Sequence, residues 1–315
     1  MMKKLFSLLI VCLCVLFNVS SCKDSNTIQI GILQEATHGA LNELVDGFKS
    51  VIKESGENIK IVVKNPEGDP SLRNSFAASL ARENDLVLGV GTNSAASLKH
   101  SVKVEASNKP VLFGAVTDPV SANLVKSFDE IENVTGLSDK APIESQIALI
   151  KQIDANIKTV GIIYNNAEPN SKVQADQVGE LLKKENINVK VRSVSETSNI
   201  GPTISALVRD NIETLYIPTD NMMASNMSII KDYCLENNIL MIAGEEELVN
   251  QGAHASYSIS YRKMGEELGK MALDILVNKK DVKTIKTKFM DLGKCNLIVN
   301  EESFKKTGHK IPEEK

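Results

Sequence analysis

The sequence predicts an α/β fold in which two doubly wound parallel-sheet domains are joined by a multi-strand hinge. Short apolar strands alternate with amphipathic helices over two successive stretches of the chain, each of roughly a hundred residues. Near-continuous apolar strands are typical of parallel sheets whose two faces are both covered by helices. No low-complexity linker separates the stretches, so we expect several chain crossings to connect the two domains.

The first stretch begins with a strand at Thr27–Leu33. In the helix that follows, apolar residues recur at steps of three and four, and Gly56 ends it. The turn formers at 65–70 precede a second helix. Further strands are predicted at 59–63, 86–90 and 111–115, and a further helix at 95–104.

The alternation restarts after Asn133–Gly136. Helices are predicted at 142–152, 173–184 and around 204–208, with another ending near 236, and strands at 159–164, 189–194, 214–218 and 239–243. A long helix at 261–277 and a strand near Leu297 come last, and we expect them to form return crossings. The predicted division gives residues 27–137 and about 258–291 to lobe I, and residues 138–257 and about 292–315 to lobe II.

The amino-terminal segment is typical of an export signal. Lys3 and Lys4 precede an apolar run that is too short to span a bilayer, and small residues lead directly to Cys22. This pattern resembles a bacterial lipobox, in which cleavage leaves the cysteine as an acylated first residue. We therefore expect a signal at 1–21, lipidation at Cys22 and a polar tether at 22–26. The alternative is an ordinary cleaved signal with a plain thiol at Cys22.

Composition narrows the class of function. The formal charge of −4 would become −6 without Lys3 and Lys4, and no basic block or aromatic–basic cluster points to nucleic acid. No second His or Cys stands at metal-ligand spacing, so we expect neither a metal site nor a cofactor. Cys234 and Cys295 are expected to be two thiols rather than one disulfide, since neither lies in a cysteine-dense segment.

Binding residues are predicted where the carboxyl ends of parallel strands face a crevice and helix amino termini offer free N–H groups. Six loops on this predicted face are rich in short polar groups. They are 34–38, 91–94, 117–119, 165–171, 219–221 and 244–247. Thr92, Ser94, Asp118 and Asp220 have an alternative interpretation as helix caps. Glu245–Glu247 are expected to form a solvated helix start, and His38 has an alternative as a surface or capping residue.

Several long motifs resemble one family. They include Gly31–Gln34, Ala115–Ala122, Asn133–Asp139, Gly161–Asn165 with Glu168–Ser171, Pro218–Asn221, and Gly252–Tyr257 with Gly265, Leu268 and Gly269. In the same order, they look like the TrpX-type ABC transporter substrate-binding lipoproteins. The resemblance covers nearly all of the chain after the signal. It implies a type I periplasmic-binding-protein architecture with three crossings.

The resemblance also implies an importer receptor that captures an amino acid, with aromatic ones favoured, by clamshell closure. Thr92, Ser94 and the N–H groups of 92–94 would then hold the carboxylate. Asp220, with Asn165 or Asp118, would pair the ammonium, because a buried zwitterion needs both charges matched. The side-chain end would be lined by Gln34, His38 and Glu168. The full expected set is Gln34, His38, Thr92, Asn93, Ser94, Ala115, Thr117, Asp118, Asn165, Glu168, Ser171, Thr219, Asp220, Asn221 and Tyr257.

The expected partners are an ABC permease and ATPase, a small-molecule ligand and a membrane reached through Cys22, with the protein itself monomeric. The absence of Trp, with Tyr257 as the one aromatic near a predicted mouth, leaves a nucleoside-like or other polar ligand open. A sensor or adhesin of the same fold is a further alternative. An enzyme is not expected, because the sequence has no nucleophile elbow and no supported Cys–His pair.

Overall fold

The computed structural model describes residues 27–105, 108–290 and 295–313. Cys22 and the segment before it lie outside the described residues. The described chain forms two six-stranded sheets, each with helices on both faces, so the predicted α/β class with two doubly wound sheets is confirmed. In this part of the chain no helix is both long enough and apolar enough to cross a membrane.

Lobe I is built on the first sheet, whose strands lie in the order β11-β5-β4-β3-β1-β2 and pair in parallel. The strands are β1 (Ile28–Gln34), β2 (Ile59–Lys64), β3 (Leu86–Val90), β4 (Val111–Gly114), β5 (Val134–Ser138) and β11 (Lys288–Phe289). The helices are α1 (Gly39–Glu54), α2 (Pro70–Glu83), α3 (Thr92–Val104) and α10 (Tyr261–Leu276). Separate apolar cores fill the two faces, because the strands are buried on both sides.

Lobe II is built on the second sheet, in the order β12-β10-β9-β8-β6-β7. The strands are β6 (Thr159–Asn165), β7 (Asn188–Val194), β8 (Thr214–Ile217), β9 (Leu240–Ala243), β10 (Ala255–Ser258) and β12 (Asn296–Val299), the last antiparallel to β10. The helices are α4 (Ile143–Ile153), α5 (Pro169–Lys184), α6 (Ile200–Arg209), α7 (Asn221–Ser225), α8 (Met227–Glu236), α9 (Glu246–Asn250) and α11 (Glu301–Thr307).

Three crossings connect the lobes, after β5, after β10 and between β11 and β12. The second crossing feeds α10, which lies against α1 of lobe I. Their backbones touch at Gly265, where an added Cβ would stand 1.9 Å from the carbonyl oxygen of Leu44. A side chain at Gly265 would therefore push α10 off α1. This close packing ties the last third of the chain back to lobe I.

The structure differs from the sequence-based boundaries mainly at helix starts. Helix α3 begins at Thr92 rather than at residue 95, and α5 begins at Pro169 rather than at 173. In both cases polar first-turn residues hide the start from an apolar-periodicity argument. Cys234 and Cys295 form no disulfide, which confirms the prediction of thiols.

Candidate functional site

A cleft of about 360 Å³ lies between the carboxyl-end loops of the two sheets. From lobe I it is lined by Glu35, Ala36, Glu67, Gly68, Pro70, Arg73 and Asn93, and from lobe II by Asn165, Ala167, Glu168, Ser195, Thr197, Asn221, Met222, Ser225 and Asn226. The lobes also touch directly. The Asn93 amide donates to the carbonyl oxygen of Ala167 at 3.3 Å. The predicted position of the crevice therefore agrees with the structure.

On the lobe II side, Glu168 is the most heavily hydrogen-bonded carboxyl group of the cleft. Its Oε1 accepts from the side-chain amide of Asn165 at 3.1 Å and from the backbone N–H of Met222 at 3.2 Å. Its Oε2 accepts from the N–H and the side-chain amide of Asn221, at 3.1 and 2.6 Å. All of these donors are neutral groups.

Asp220 lies beside Glu168 and is 1% exposed. Its Oδ1 accepts from the N–H of Met223 and caps α7, and its Oδ2 accepts from the N–H of Asn165 at 2.6 Å. Burial first, and then the charge of Asp220, raise the pKa of Glu168 well above its usual value, and burial raises the pKa of Asp220 too. Among the described residues, neither carboxyl group forms an ion pair with a lysine or arginine, and the two side chains hydrogen-bond to each other.

The lobe I side of the cleft is different, because its buried carboxylate already has a cation. Glu35 is 3% exposed, and its Oε1 accepts from Nη1 of Arg73 at 2.6 Å. Its Oε2 accepts from the hydroxyl of Ser94 at 2.6 Å. Arg73 comes from the first turn of α2, which Asp69 caps through the N–H groups of Ser71 and Leu72. The helix start therefore fixes where the guanidinium enters the cleft.

Buried polar atoms without a partner gather at the same place. Among the described residues, six such side-chain atoms exist. Four of them belong to the loops or helix starts around the cleft, namely Nδ1 of His38, Nε of Arg73, Oγ1 of Thr92 and Oε1 of Glu245. Since native proteins satisfy most buried polar groups, this concentration indicates a place where a ligand completes the hydrogen bonding.

A second group of acids lies toward the hinge. The Tyr261 hydroxyl donates to Oδ2 of Asp139 at 2.9 Å, and the Thr117 hydroxyl donates to Oδ1 at 3.1 Å. Glu245 interacts with the same Tyr261 hydroxyl. Burial, and then the nearby Asp139, raise the pKa of Glu245 to about 8. The expectation that Glu245 forms part of a solvated helix start is therefore wrong, since it is 2% exposed.

His38 connects the two lobes. It is 7% exposed, and its Nε2 lies 2.9 Å from Oδ1 of Asn221. Because the Asn221 amide nitrogen donates to Glu168, its oxygen faces His38, so Nε2 of His38 is the donor. Burial lowers the pKa of His38. The alternative of a surface histidine is wrong, and the side chain makes no cap bond to α1.

The structure brings four predicted residues into the lining of the cleft: Asn93, Asn165, Glu168 and Asn221. Others serve as supports. They include Asp220 and Ser94, described above, and Ser171, whose hydroxyl donates to the carbonyl oxygen of Thr219 at 2.9 Å. Gln34 donates to Asn42 at 2.7 Å, within lobe I. Asp118 accepts from Val120 and Ser121 and closes a turn.

Three predicted residues have other surroundings. Ala115 has a positive φ of 54°, is buried, and directs its N–H at the sulfur of Met264. Tyr257 lies in β10, half-buried against an apolar core of lobe II, and does not line the cleft. Thr92 is the first residue of α3, after Gly91 at the N-cap position, so it does not cap that helix.

Sequence reasoning missed Arg73 and Tyr261. Arg73 lies far from Glu35 in sequence, and a single arginine in a polar helix carries no local signal. Tyr261 begins a helix with a strong apolar periodicity, and this pattern predicts a core position for it.

A family model described as ABC transporter substrate binding protein matches residues 29–314. Among curated proteins, a tyrosine-binding protein of Clostridioides difficile is 36% identical over 282 residues, which are 88% of this chain and 79% of that protein. Both matches span the two lobes and the hinge. Substrate-binding proteins of this type are extracytoplasmic.

Two solved structures extend the likeness. One is an ABC domain from Streptococcus pneumoniae in complex with L-Trp, with a TM-score of 0.84 and 29% identity, over 91% of this chain and 96% of that one. The other is a ligand-free, open substrate-binding protein with adhesive properties from Clostridium difficile, with a TM-score of 0.68 and 34% identity over the same shares. The lobes are therefore arranged more as in the ligand-bound relative, and the type I periplasmic-binding-protein architecture is confirmed.

Proposed function

Because this chain belongs to the ABC transporter substrate-binding protein family, we propose that it captures a free amino acid between its lobes and delivers it to an importer. Aromatic amino acids are favoured. Two similar proteins support this ligand class, the tyrosine-binding protein and the L-Trp complex. The observation in this chain that carries the proposal is the buried Glu168–Asp220 pair, which faces the cleft without a cation.

The ligand's ammonium belongs at Glu168. A carboxylate at the wall of a closed cleft is costly without a matching charge, and an ammonium supplies both that charge and hydrogen-bond donors. Glu168 is held in place by four neutral donors, none of which offsets a negative charge, so an ammonium beside it would supply the missing counter-charge and share its oxygens with these donors. Asp220 lies behind it and adds to the negative potential.

The ligand's carboxylate belongs at Thr92. Its hydroxyl oxygen is buried without a partner at the first residue of α3, where backbone N–H groups are free. The next residue, Asn93, reaches across to lobe II. A zwitterion held at Thr92 and Glu168 would therefore touch both lobes and favour the closed arrangement.

Binding is tested by thermal melting of the folded chain, without its first 21 residues, after ligand stripping and refolding. The panel is the twenty amino acids with tyramine and common nucleosides. A ligand selective for the native closed state raises the melting temperature by mass action. We expect stabilisation by an aromatic amino acid and none by nucleosides. A flat response to every amino acid, or stabilisation by a nucleoside alone, contradicts the proposal.

The importer role adds a permease and an ATPase as partners, a lipid anchor at Cys22, a monomeric receptor and no enzymatic activity. Metabolic labelling with an acyl-chain analogue tests the anchor, with Cys22→Ala as the control, and gel filtration tests the monomer. Deletion of the coding sequence should slow uptake of the stabilising amino acid in cells. Unchanged uptake would contradict an importer role while leaving the binding result intact.

A second function, adhesion, is favoured by one observation, the adhesive properties of the 34% identical relative. Binding of the folded chain to host-cell surfaces, measured with and without the stabilising amino acid, tests it. Adhesion that is independent of the ligand would make it a separate property of the outer surface.

A further inference from the structure

The cleft has no aromatic side chain among the described residues that line it, although the proposed ligand is aromatic. Aromatic ligands are usually held by flat or apolar partners. The apolar residues of the lining are Ala36, Pro70, Ala167 and Met222. None of them offers a planar surface of the size of a ring. Among the described residues that line the cleft, the guanidinium of Arg73 is the group that is both planar and cationic.

Arg73 is held so that it cannot turn freely. Its Nη1 donates to Glu35 at 2.6 Å, and Glu35 is fixed from the other side by the Ser94 hydroxyl, also at 2.6 Å. Nε of Arg73 is buried and has no partner, and the side chain as a whole is 13% exposed. Nη1 of the guanidinium is therefore occupied, and what remains for a ligand is its face, its outer end and the unpaired Nε–H.

The residues around Arg73 offer further contacts to an aromatic ring of the ligand. Arg73 is three residues from Pro70 on the first turn of α2, and both line the cleft. Across the cleft, Met222 follows Asn221, which donates to Glu168. A ligand whose ammonium sits at Glu168 would therefore place its side chain near Met222, on the way to Arg73. A methionine sulfur and a guanidinium face both interact favourably with aromatic rings.

We infer that Arg73, positioned by Glu35 and Ser94, is a specificity-determining residue that stacks its guanidinium on the aromatic ring of the ligand. This inference rests on the proposed function and adds to it the residue that selects an aromatic side chain over an aliphatic one. The ion pair with Glu35 limits the rotation of the guanidinium before the ligand arrives, so little side-chain freedom is lost on binding.

The test uses a pair of ligands matched in size. L-Phenylalanine and L-cyclohexylalanine have similar side-chain volumes, but only phenylalanine has a π face. Their dissociation constants are measured by calorimetry on the folded wild-type chain, on Arg73→Lys, which keeps the charge and loses the plane, and on Arg82→Lys. Arg82 is in the same helix, is about half exposed and pairs with Glu105 away from the cleft, so it is the matched control.

In the wild type, phenylalanine should bind more tightly than cyclohexylalanine. Arg73→Lys should reduce that preference by about 3-fold, mainly by weakening phenylalanine, because the lysine ammonium keeps part of the attraction to the ring and loses the planar stacking surface. Arg82→Lys should leave the preference unchanged. The unliganded melting temperature of each variant verifies folding, and Met222→Leu provides a second, smaller reduction of the preference if Arg73→Lys folds poorly.

Two results overturn the inference while the proposed function survives. In the first, the wild type binds phenylalanine no better than cyclohexylalanine. In the second, Arg73→Lys weakens both ligands equally, which would make Arg73 a receptor for the carboxylate or a structural residue. If the wild type binds no amino acid at all, the proposed function fails and this inference fails with it.

Discussion

Buried carboxyl groups have different partners on the two sides of the cleft. In lobe I, Glu35 is paired with Arg73 and Ser94, so its charge is balanced within the lobe. In lobe II, Glu168 and Asp220 hydrogen-bond to each other and to neutral donors, and neither forms an ion pair with a lysine or arginine of the described chain. The buried carboxylate of lobe I therefore already has its counter-charge, whereas the carboxyl pair of lobe II receives one only from what it binds. The difference indicates which charges of the cleft are structural and which are reserved for the ligand.

The largest expected effect on ligand affinity comes from removing the carboxyl group of Glu168. Glu168→Gln should weaken binding of the stabilising amino acid by about 100-fold or more, because the ligand's ammonium would be buried without its counter-charge. Calorimetry measures the change. Glu180→Gln, an exposed residue of α5 on the same lobe, is the control and should bind as the wild type does. Unchanged binding in Glu168→Gln would place the ammonium elsewhere.

The stability of Glu168→Gln without ligand gives a second comparison between the two sides of the cleft. The amide loses acceptors for some of the four donors, but it also removes the unfavourable burial of a carboxyl group beside Asp220. These effects oppose each other, so we expect the free energy of unfolding to change by only about 1 kcal/mol.

Breaking the Glu35–Arg73 ion pair should have the opposite effect, lowering stability more than it weakens ligand binding. Glu35→Gln leaves Arg73 partly buried without its counter-charge, so we expect the free energy of unfolding to fall by about 2–3 kcal/mol. Denaturant titration measures it. The control is Glu105→Gln, which breaks the exposed Arg82–Glu105 pair and should cost less than about 1 kcal/mol. Equal losses in the two variants would mean that the buried pair is not a stabilising part of lobe I.

This comparison also shows what the sequence could and could not predict. The α/β alternation, the two sheets and the side of the sheets that carries the crevice follow from apolar periodicity and strand order. Glu168, Asn165 and Asn221 were found because each lies in a loop directly after a strand. The Glu35–Arg73 pair was not, because it joins a loop to a helix turn 38 residues away, and no local pattern encodes that contact.

Glu245 shows a second limit of the sequence. Three consecutive glutamates after a strand favour an exposed helix start, since acids stabilise the first turn. Which of the three side chains is buried depends on contacts at the hinge. Glu245 turns inward toward Tyr261 and Asp139, which reach it through two different crossings. Burial there is a tertiary effect, and the three identical letters cannot reveal which one is enclosed.

The hinge acids give a smaller, pH-dependent effect. Burial raises the pKa of Glu245 from 4.5 to about 8, so the folded state holds this proton more tightly than the unfolded state. The contribution of Glu245 to stability is therefore fully present below pH 4.5 and is lost as the pH rises toward 8. Glu245→Gln should become more stable than the wild type across this range, by about 2 kcal/mol at pH 6 and by more as the pH approaches 8.

Thermal melting of Glu245→Gln and wild type from pH 5 to pH 8.5 checks this. Exposed Glu144→Gln, at the start of α4, controls for a change of charge without burial and should give a small, constant difference. A Glu245→Gln difference that does not grow with pH would mean that Glu245 is ionised in the folded protein.

The smallest expected effect concerns the bond that joins the two sides. His38 of lobe I donates to Asn221 of lobe II, which in turn donates to Glu168, so the ligand's counter-charge is connected to closure through two hydrogen bonds. His38→Ala should weaken ligand binding by about 3- to 10-fold, the worth of one hydrogen bond, and should leave lobe I folded. Asn93→Ala, which removes the longer cross-lobe bond, should cost less.

The pH dependence of ligand binding to His38→Ala tests whether the His38–Asn221 hydrogen bond forms when the cleft closes. Burial lowers the pKa of His38 below 6.5, because Nδ1 is enclosed without an acceptor and the closed state disfavours a second proton. The stabilisation that His38 gives to the closed state is therefore present above pH 6.5 and is lost as the pH falls below it. Wild-type affinity should decline from pH 7 to pH 5.5, and His38→Ala should remove the part of that decline that belongs to His38. Identical pH profiles would mean that His38 is equally buried in the open state, and that the two sides of the cleft are coupled through the ligand alone.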